Sequence, residues 1–112
     1  MLKYIAFALP LLFVTSAHAA SFDCAKAQAP DEKAICAHLD LNDADVRMAT
    51  VLDMELQMVA MGQRDAIRDA QKAWLTLRGK CGGDVACIRA AYQRRLTDLD
   101  KVFKDIASRG PF

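Results

Sequence analysis

Four cysteines are the residues whose type and spacing first indicate a defined chemistry. Cys24 and Cys36 lie near each other in the chain, as do Cys81 and Cys87. An even number of cysteines in a small domain is typical of disulfides, whereas zinc sites favour pairs two to four residues apart. We therefore favour two disulfides over a zinc site and predict no metal. Of the three possible connectivities, we expect Cys24–Cys36 and Cys81–Cys87, because each closes a short local loop.

Other side chains give little support for catalysis. His38 lies near the end of a predicted helix, where a cation is favourable, so we interpret it as a capping residue. Ser21 and Ser108 lie close to the termini, which are poor positions for an oriented nucleophile. Gly82-Gly83 is a turn rather than a phosphate-binding loop. We therefore predict that the protein is not an enzyme and needs no cofactor.

Basic residues flank that turn. Arg78 and Lys80 precede it, and Arg89 follows it in the next predicted helix. A disulfide across a glycine-rich turn makes a rigid tip, which loses little entropy on entering a cleft of a partner. Arg78 has a second interpretation, which is an internal ion pair with an acid of the preceding helix. The candidate acids are Asp45, Asp53 and Glu55.

The first nineteen residues have the features of a signal peptide. Lys3 precedes an apolar run from Tyr4 to Val14, and residues 17–19 read AHA, a small-x-small cleavage site. The run is shorter than the roughly 20 residues that span a bilayer, so we expect no membrane insertion after cleavage. We predict a cleaved signal peptide at 1–19, one domain at 20–112, and a periplasmic or secreted location.

Charge is divided unevenly along the remaining chain. Residues 21–63 carry 8 acidic and 3 basic side chains, whereas residues 64–112 carry 6 acidic and 11 basic ones. Either the two halves complement each other inside the fold, or the second half presents a basic face to an acidic partner. Because the two signs balance over both halves, the basic footprint of a nucleic-acid-binding domain is missing. We predict no nucleic-acid partner.

Apolar residues spaced by three and four predict an all-α fold, a small helical bundle with one short N-terminal helix and three longer helices. The short helix opens at Pro30 and stops near His38 to Leu41. An N-cap at Asn42 or Asp43 starts the second helix, and Gly62 stops it. The third helix runs from about Arg64 to Lys80. The fourth runs from a cap at Asp84 to Gly110-Pro111. Short connections predict antiparallel packing of consecutive long helices.

Two of these helices have a predicted apolar face. The predicted apolar faces are Ile67, Ala70, Trp74, Leu77 and Cys81 on the third helix, and Val85, Ile88, Tyr92, Leu96, Leu99, Phe103 and Ile106 on the fourth.

Large apolar residues in the second and third helices have two possible roles. Met54, Met58 and Met61 either fill the core or form a contact surface. Trp74 anchors either the core or an interface. If the methionines form a contiguous exposed patch, association with another protein is favoured.

The chain carries a pattern that resembles a known family. The segment 71–81 reads QKAWLTLRGKC, the opening segments 22–27 and 32–36 read FDCAKA and EKAIC, and Cys87 follows the turn. Together these segments are similar to the N-terminal domain of the exported lysozyme inhibitor LprI family, from Phe22 to Leu99. Leu52 departs from the family, which usually has a tyrosine there. The structural motif of the resemblance consists of Gln71, Trp74, Leu75, Tyr92 and Arg95.

The resemblance implies a small disulfide-stabilised helical domain outside the cytoplasm, and lysozyme inhibition is tied to a few members. Two hypotheses follow. In the first, the tip bearing Arg78, Lys80 and Arg89 binds non-covalently in the cleft of a lysozyme, whose two catalytic carboxylates attract cations. In the second, the protein is a periplasmic binding or structural module with an envelope partner and no lysozyme target, and the methionine-bearing helix forms the contact.

Overall fold

The computed structural model describes residues 20–110, so the predicted signal peptide lies outside the described residues. A 3-10 turn at Cys24–Lys26 precedes four helices: α1 (Pro30–Ala37), α2 (Leu39–Met58), α3 (Met61–Lys80) and α4 (Val85–Ser108). No strand occurs between residues 20 and 110. The predicted all-α bundle with one short and three longer helices is confirmed.

Both disulfides have the expected connectivity, and each one ties a turn to a helix. Cys24–Cys36 joins the 3-10 turn to α1. Cys81–Cys87 joins the end of α3 to the first turn of α4. Disulfides of this kind form in an oxidising compartment, which agrees with a location outside the cytoplasm. None of the helices described is long and apolar enough to cross a membrane.

Removal of the Cys24–Cys36 disulfide should destabilise the fold measurably. The Cys24→Ser/Cys36→Ser variant should lose about 3 kcal/mol of unfolding free energy, because the bond closes a loop of 12 residues. The Cys81–Cys87 disulfide closes a loop of only 6 residues. The Cys81→Ser/Cys87→Ser variant should therefore lose about 2 kcal/mol of unfolding free energy. Urea unfolding followed by circular dichroism measures both values. Equal stability of all three proteins would contradict the prediction.

Consecutive long helices run antiparallel, and α2 makes its main contact with α4. Hydrogen bonds between Trp74 and Ala91, and between Gln71 and Arg95, show that α3 and α4 are antiparallel, as predicted. In contrast, α2 has its most extensive packing on α4. The pairs Asp40–Arg89 and Asp45–Tyr92 advance together along the two helices, so α2 and α4 are parallel. The contacts Met48–Gln71 and Asp45–Arg78 run in opposite directions along α2 and α3. These two consecutive helices are therefore antiparallel as well, as predicted, although α2 packs mainly on α4.

Two predicted helix boundaries are also wrong. α2 begins at Leu39 rather than after Asn42 or Asp43, and Asn42 is instead buried beneath the end of α1. Gly62 does not stop α2. Val59 and Ala60 are extended and separate the two helices, and Gly62 falls in the first turn of α3. The carbonyl of Leu56, in the last turn of α2, accepts a hydrogen bond from Arg64 Nε at 3.0 Å, so a side chain rather than a glycine finishes the helix.

The core lies where α4 meets the other three helices. Ile35, Leu41, Ile88 and Leu99 have at most 1% of their surface exposed. The predicted face of α4 is correct at Ile88, Tyr92, Leu99 and Ile106, but 44% of Phe103 is exposed. The predicted face of α3 is wrong at Leu77, because α3 is rotated so that Arg78 points inward instead. The reason for this rotation is the polar cluster described next.

Candidate functional site

A buried polar cluster receives one side chain from each of the four helices. Arg78 of α3 donates from Nε to Asp31 Oδ2 of α1 at 2.9 Å, and from Nη1 to the Tyr92 hydroxyl of α4 at 3.1 Å. Tyr92 in turn donates to Asp45 Oδ1 of α2 at 2.7 Å. All four side chains are buried. The second oxygen of Asp45 accepts the backbone N–H of Ser21 at 2.7 Å, which ties the N-terminal segment to the same cluster.

The cluster keeps its charges because each one has a partner. Burial opposes the charge of Arg78, but Tyr92 and Asp31 together raise the pKa of the guanidinium above its ordinary value. Burial and the hydrogen bond to Asp45 raise the pKa of Tyr92, so its hydroxyl remains a donor. A buried arginine with hydrogen-bonded carboxylates is stable only while the set is complete. The cluster therefore holds the four helices in register.

Aromatic rings and a second polar chain extend this cluster along α3 and α4. Trp74 donates from Nε1 to the Ala91 carbonyl at 2.9 Å, and its ring meets that of Tyr92 edge-on at 5.0 Å between centroids. One turn earlier on α3, Gln71 Oε1 accepts Arg95 Nε at 2.9 Å. Trp74 and Tyr92 thus surround Arg78, and Gln71 and Arg95 form a separate pair between the same two helices. Trp74 is a core anchor, as the first of its two interpretations predicted.

The predicted basic tip is divided between the interior and the surface. Arg78 lies inside the fold, where only 6% of it is exposed, and Asp45 is one of the acids that surround it, at 3.8 Å. The internal interpretation of Arg78 is therefore confirmed, and Asp31 of α1 is its closer partner. Lys80 is exposed and forms no ion pair with the residues described. Arg89 is exposed and paired with Asp40 of α2 at 2.8 Å, and its hydrogen bond lowers the pKa of that carboxyl.

The tip itself has the geometry expected of a rigid protrusion. Gly82 has a φ of 56°, a backbone conformation that glycine adopts without strain. The Asp84 side chain accepts the N–H of Cys87 at 3.1 Å and caps α4 as predicted. A Cβ placed on Gly82 or Gly83 would meet nothing within 4 Å, so the turn is open to solvent.

A second candidate site lies in a groove between α2 and α4. The groove has a volume of about 250 Å³ and is lined by apolar side chains around one buried acid, Glu55. Met54 and Met58 lie along it and are 55% and 38% exposed, and Met61 beyond the end of α2 is 77% exposed. The interpretation of these methionines as core filler is wrong. The parallel packing of α4 leaves the end of α2 partly uncovered, and Phe103 of α4 is exposed beside it.

Glu55 has no hydrogen-bond partner among the described residues. Its exposure is 0%, and both carboxylate oxygens lack a donor. Burial raises the pKa of this carboxyl to about 7, although the charge of nearby Arg95 acts in the opposite direction. We considered Glu55 from the sequence only as a partner of Arg78. Leu52 follows Met48 by four residues, and Glu55 follows Leu52 by three. This helical spacing is the sequence signal that places an acid on the inward face of α2.

Other predicted features lie outside these two sites. His38 caps α1, since its Nδ1 lies 2.9 Å from the Ala34 carbonyl oxygen. Leu52, where the family usually has tyrosine, lines a separate groove of about 500 Å³ between α2 and α3. Leu75 of the sequence motif is 40% exposed beside the same groove. No group of acidic, histidine or cysteine side chains within 20–110 has a metal-binding arrangement.

Comparison with protein families identifies the family of this chain. The sequence pattern described as lysozyme inhibitor LprI matches residues 24–83, which is more than half of the chain. The chain belongs to the lysozyme inhibitor LprI family. No curated protein and no solved structure is significantly similar to it. The LprI match spans Asp31, Asp45 and Arg78, so three of the four members of the buried cluster lie inside the matched region.

Proposed function

We propose that this LprI-family protein is exported and inhibits a lysozyme by non-covalent binding. The observation that carries this function is the family match over residues 24–83, and the two disulfides support export. Lysozymes act through two carboxylates in an open cleft. A protein that places a fixed cation in that cleft blocks substrate entry without any chemical step.

Lys80 is the residue best placed to provide that cation. It is exposed at the end of α3, directly before the turn that the Cys81–Cys87 disulfide closes. Arg89 lies on the adjacent turn of α4, where Asp40 already offsets its charge, so it acts as a supporting contact. Arg78 supports the tip from inside, through its bonds to Asp31 and Tyr92, and does not reach a partner.

A charge reversal at Lys80 should abolish most of the inhibition. The oxidised chain 20–112 is titrated against a chicken-type lysozyme acting on bacterial cell walls. Lys80→Glu should raise the half-inhibitory concentration about tenfold or more, because like charges placed together in an interface cost several kcal/mol. Lys72→Glu is the matched control, since Lys72 is also exposed on α3 but two turns from the tip. Equal inhibition by the two variants would contradict the tip mechanism.

Absence of inhibition by the parent chain would exclude this lysozyme as the target.

A second candidate function, that of a periplasmic binding module, has its own structural support. Met54, Met58 and Phe103 are exposed around one groove, and an adaptable apolar groove of this kind is typical of a protein-binding surface. The groove lies about 16 residues along α4 from the tip, or roughly 24 Å, so each surface can be tested separately.

A further inference from the structure

The α2–α4 groove combines apolar walls with an acid at its base. The apolar lining residues are Val51, Met54, Met58, Leu96 and Phe103, and the charged ones are Arg47, Glu55 and Asp100. The lining therefore has two acids and one base. A volume of about 250 Å³ is below the usual range for a drug-sized ligand and suits a single long side chain.

Glu55 is the polar group of the groove that lacks a partner. Both of its oxygens are buried without a donor, an arrangement that costs free energy unless a partner is supplied. Arg95 is the nearest internal candidate, but its Nε donates to Gln71 and its Nη2 is also unpaired. No ion pair joins Arg95 to Glu55 within the described fold. Within residues 20–110, therefore, no side chain supplies the donor that Glu55 lacks, and a partner could supply it.

The chemistry of the groove specifies that donor. It must carry a positive charge or an N–H for Glu55, and the rest of it must suit the apolar lining formed by Met54, Met58 and Phe103. A lysine side chain has both parts, since four methylene groups carry a compact ammonium with three donors.

We propose that the α2–α4 groove binds a lysine side chain of a protein partner, with its stem against Met54, Met58 and Phe103 and its ammonium on Glu55. The proposal rests on the second candidate function and is independent of lysozyme inhibition. The ammonium supplies donors to a carboxylate that has none, and the stem covers exposed methionine surface. Asp100, the other acid of the lining, is exposed and already paired with Lys104 at 2.7 Å, so Glu55 is the carboxylate that makes the groove selective for a cation over a neutral chain.

Two short peptides test the proposal directly. Acetyl-Leu-Lys-Leu-amide and its norleucine analogue, which keeps the apolar stem but lacks the ammonium, are titrated into the oxidised chain at pH 8. Methyl resonances of Met54 and Met58 report occupancy of the groove by NMR. The lysine peptide should shift both signals saturably and bind about tenfold more tightly than the norleucine peptide, as expected for a hydrogen bond to a charged group.

Two variants separate the role of Glu55 from that of the groove. The Glu55→Gln variant should bind the lysine and norleucine peptides about equally. The Asp43→Asn variant, changed at an exposed position of the same helix, should keep the preference for the lysine peptide. Equal binding of both peptides to the parent chain would overturn the lysine assignment and leave an apolar groove. If neither peptide shifts the methionine signals, the docking site itself is disproved. Methionine shifts that follow protein concentration alone would identify a second copy as the occupant and also overturn the proposal.

Discussion

An Arg78→Met variant should unfold with a free energy about 3–5 kcal/mol lower than that of the parent chain. Methionine fills a similar volume but leaves Asp31 and Asp45 buried without their cation. It also removes a donor to Tyr92. Chemical unfolding at pH 7, followed by circular dichroism, measures the change. A loss of this size removes a large share of the stability of a small domain.

Arg89→Met is the matched control for this experiment. Arg89 and Arg78 each bond an aspartate through Nε, at 2.8 and 2.9 Å, but the Arg89 pair is exposed and the Arg78 pair is buried. Arg89→Met should therefore change stability little, because water solvates both of its partners. A second variant, Arg78→Met with Asp31→Asn, should recover part of the loss. Similar effects of the two single substitutions would show that the buried cluster does not hold the fold together.

The Glu55→Gln variant should remove a pH dependence from the stability of the fold. The folded pKa of Glu55 is about 7, raised mainly by burial from an ordinary value of 4.5. Between these two values the folded state binds the proton and the unfolded state does not, so stability falls as pH rises through this window and is level above it. The expected fall is about 3 kcal/mol, and it should be missing in the variant.

The measured quantity is the difference in unfolding free energy between parent and variant at pH 4.5, 6 and 8. As pH rises, the parent should lose stability relative to Glu55→Gln, because only the parent loses the stabilising proton on Glu55. Other titrating groups affect both proteins equally. Asp43→Asn, an exposed substitution in α2, controls for the removal of one acid. A difference that does not change with pH would mean that the Glu55 carboxylate is solvated in the folded protein.

The helices and disulfides could be predicted from local signals. The end of α2 and the rotation of α3, in contrast, depend on contacts between helices. Pro30 and Asp84 mark helix starts by their own chemistry. Gly62 failed as a stop because Arg64, already in α3, bonds the last turn of α2. Leu77 failed as a core residue because the bonds of Arg78 to α1 and α4 set the rotation of α3. Such contacts between helices leave no periodic signal in the sequence.

The candidate sites were predictable to different degrees. Lys80 stands next to a recognisable turn, so its exposure follows from local sequence. Glu55 lacks a hydrogen-bond donor because α2 packs parallel to α4 and because Arg95 Nε donates to Gln71 instead. Neither fact is readable from residue spacing. An acid on an otherwise apolar stripe is the only sequence signal for this site.

The inward position of four of the five motif residues, all except the exposed Leu75, has a consequence for how a chain with this fold can diversify. Gln71 bonds to Arg95, and Trp74 and Tyr92 pack beside Arg78, whereas the tip and the groove use other positions. Two chains can therefore share the complete motif and still present unrelated surfaces. We therefore expect that surface substitutions can change the target of such a chain without disturbing these internal contacts.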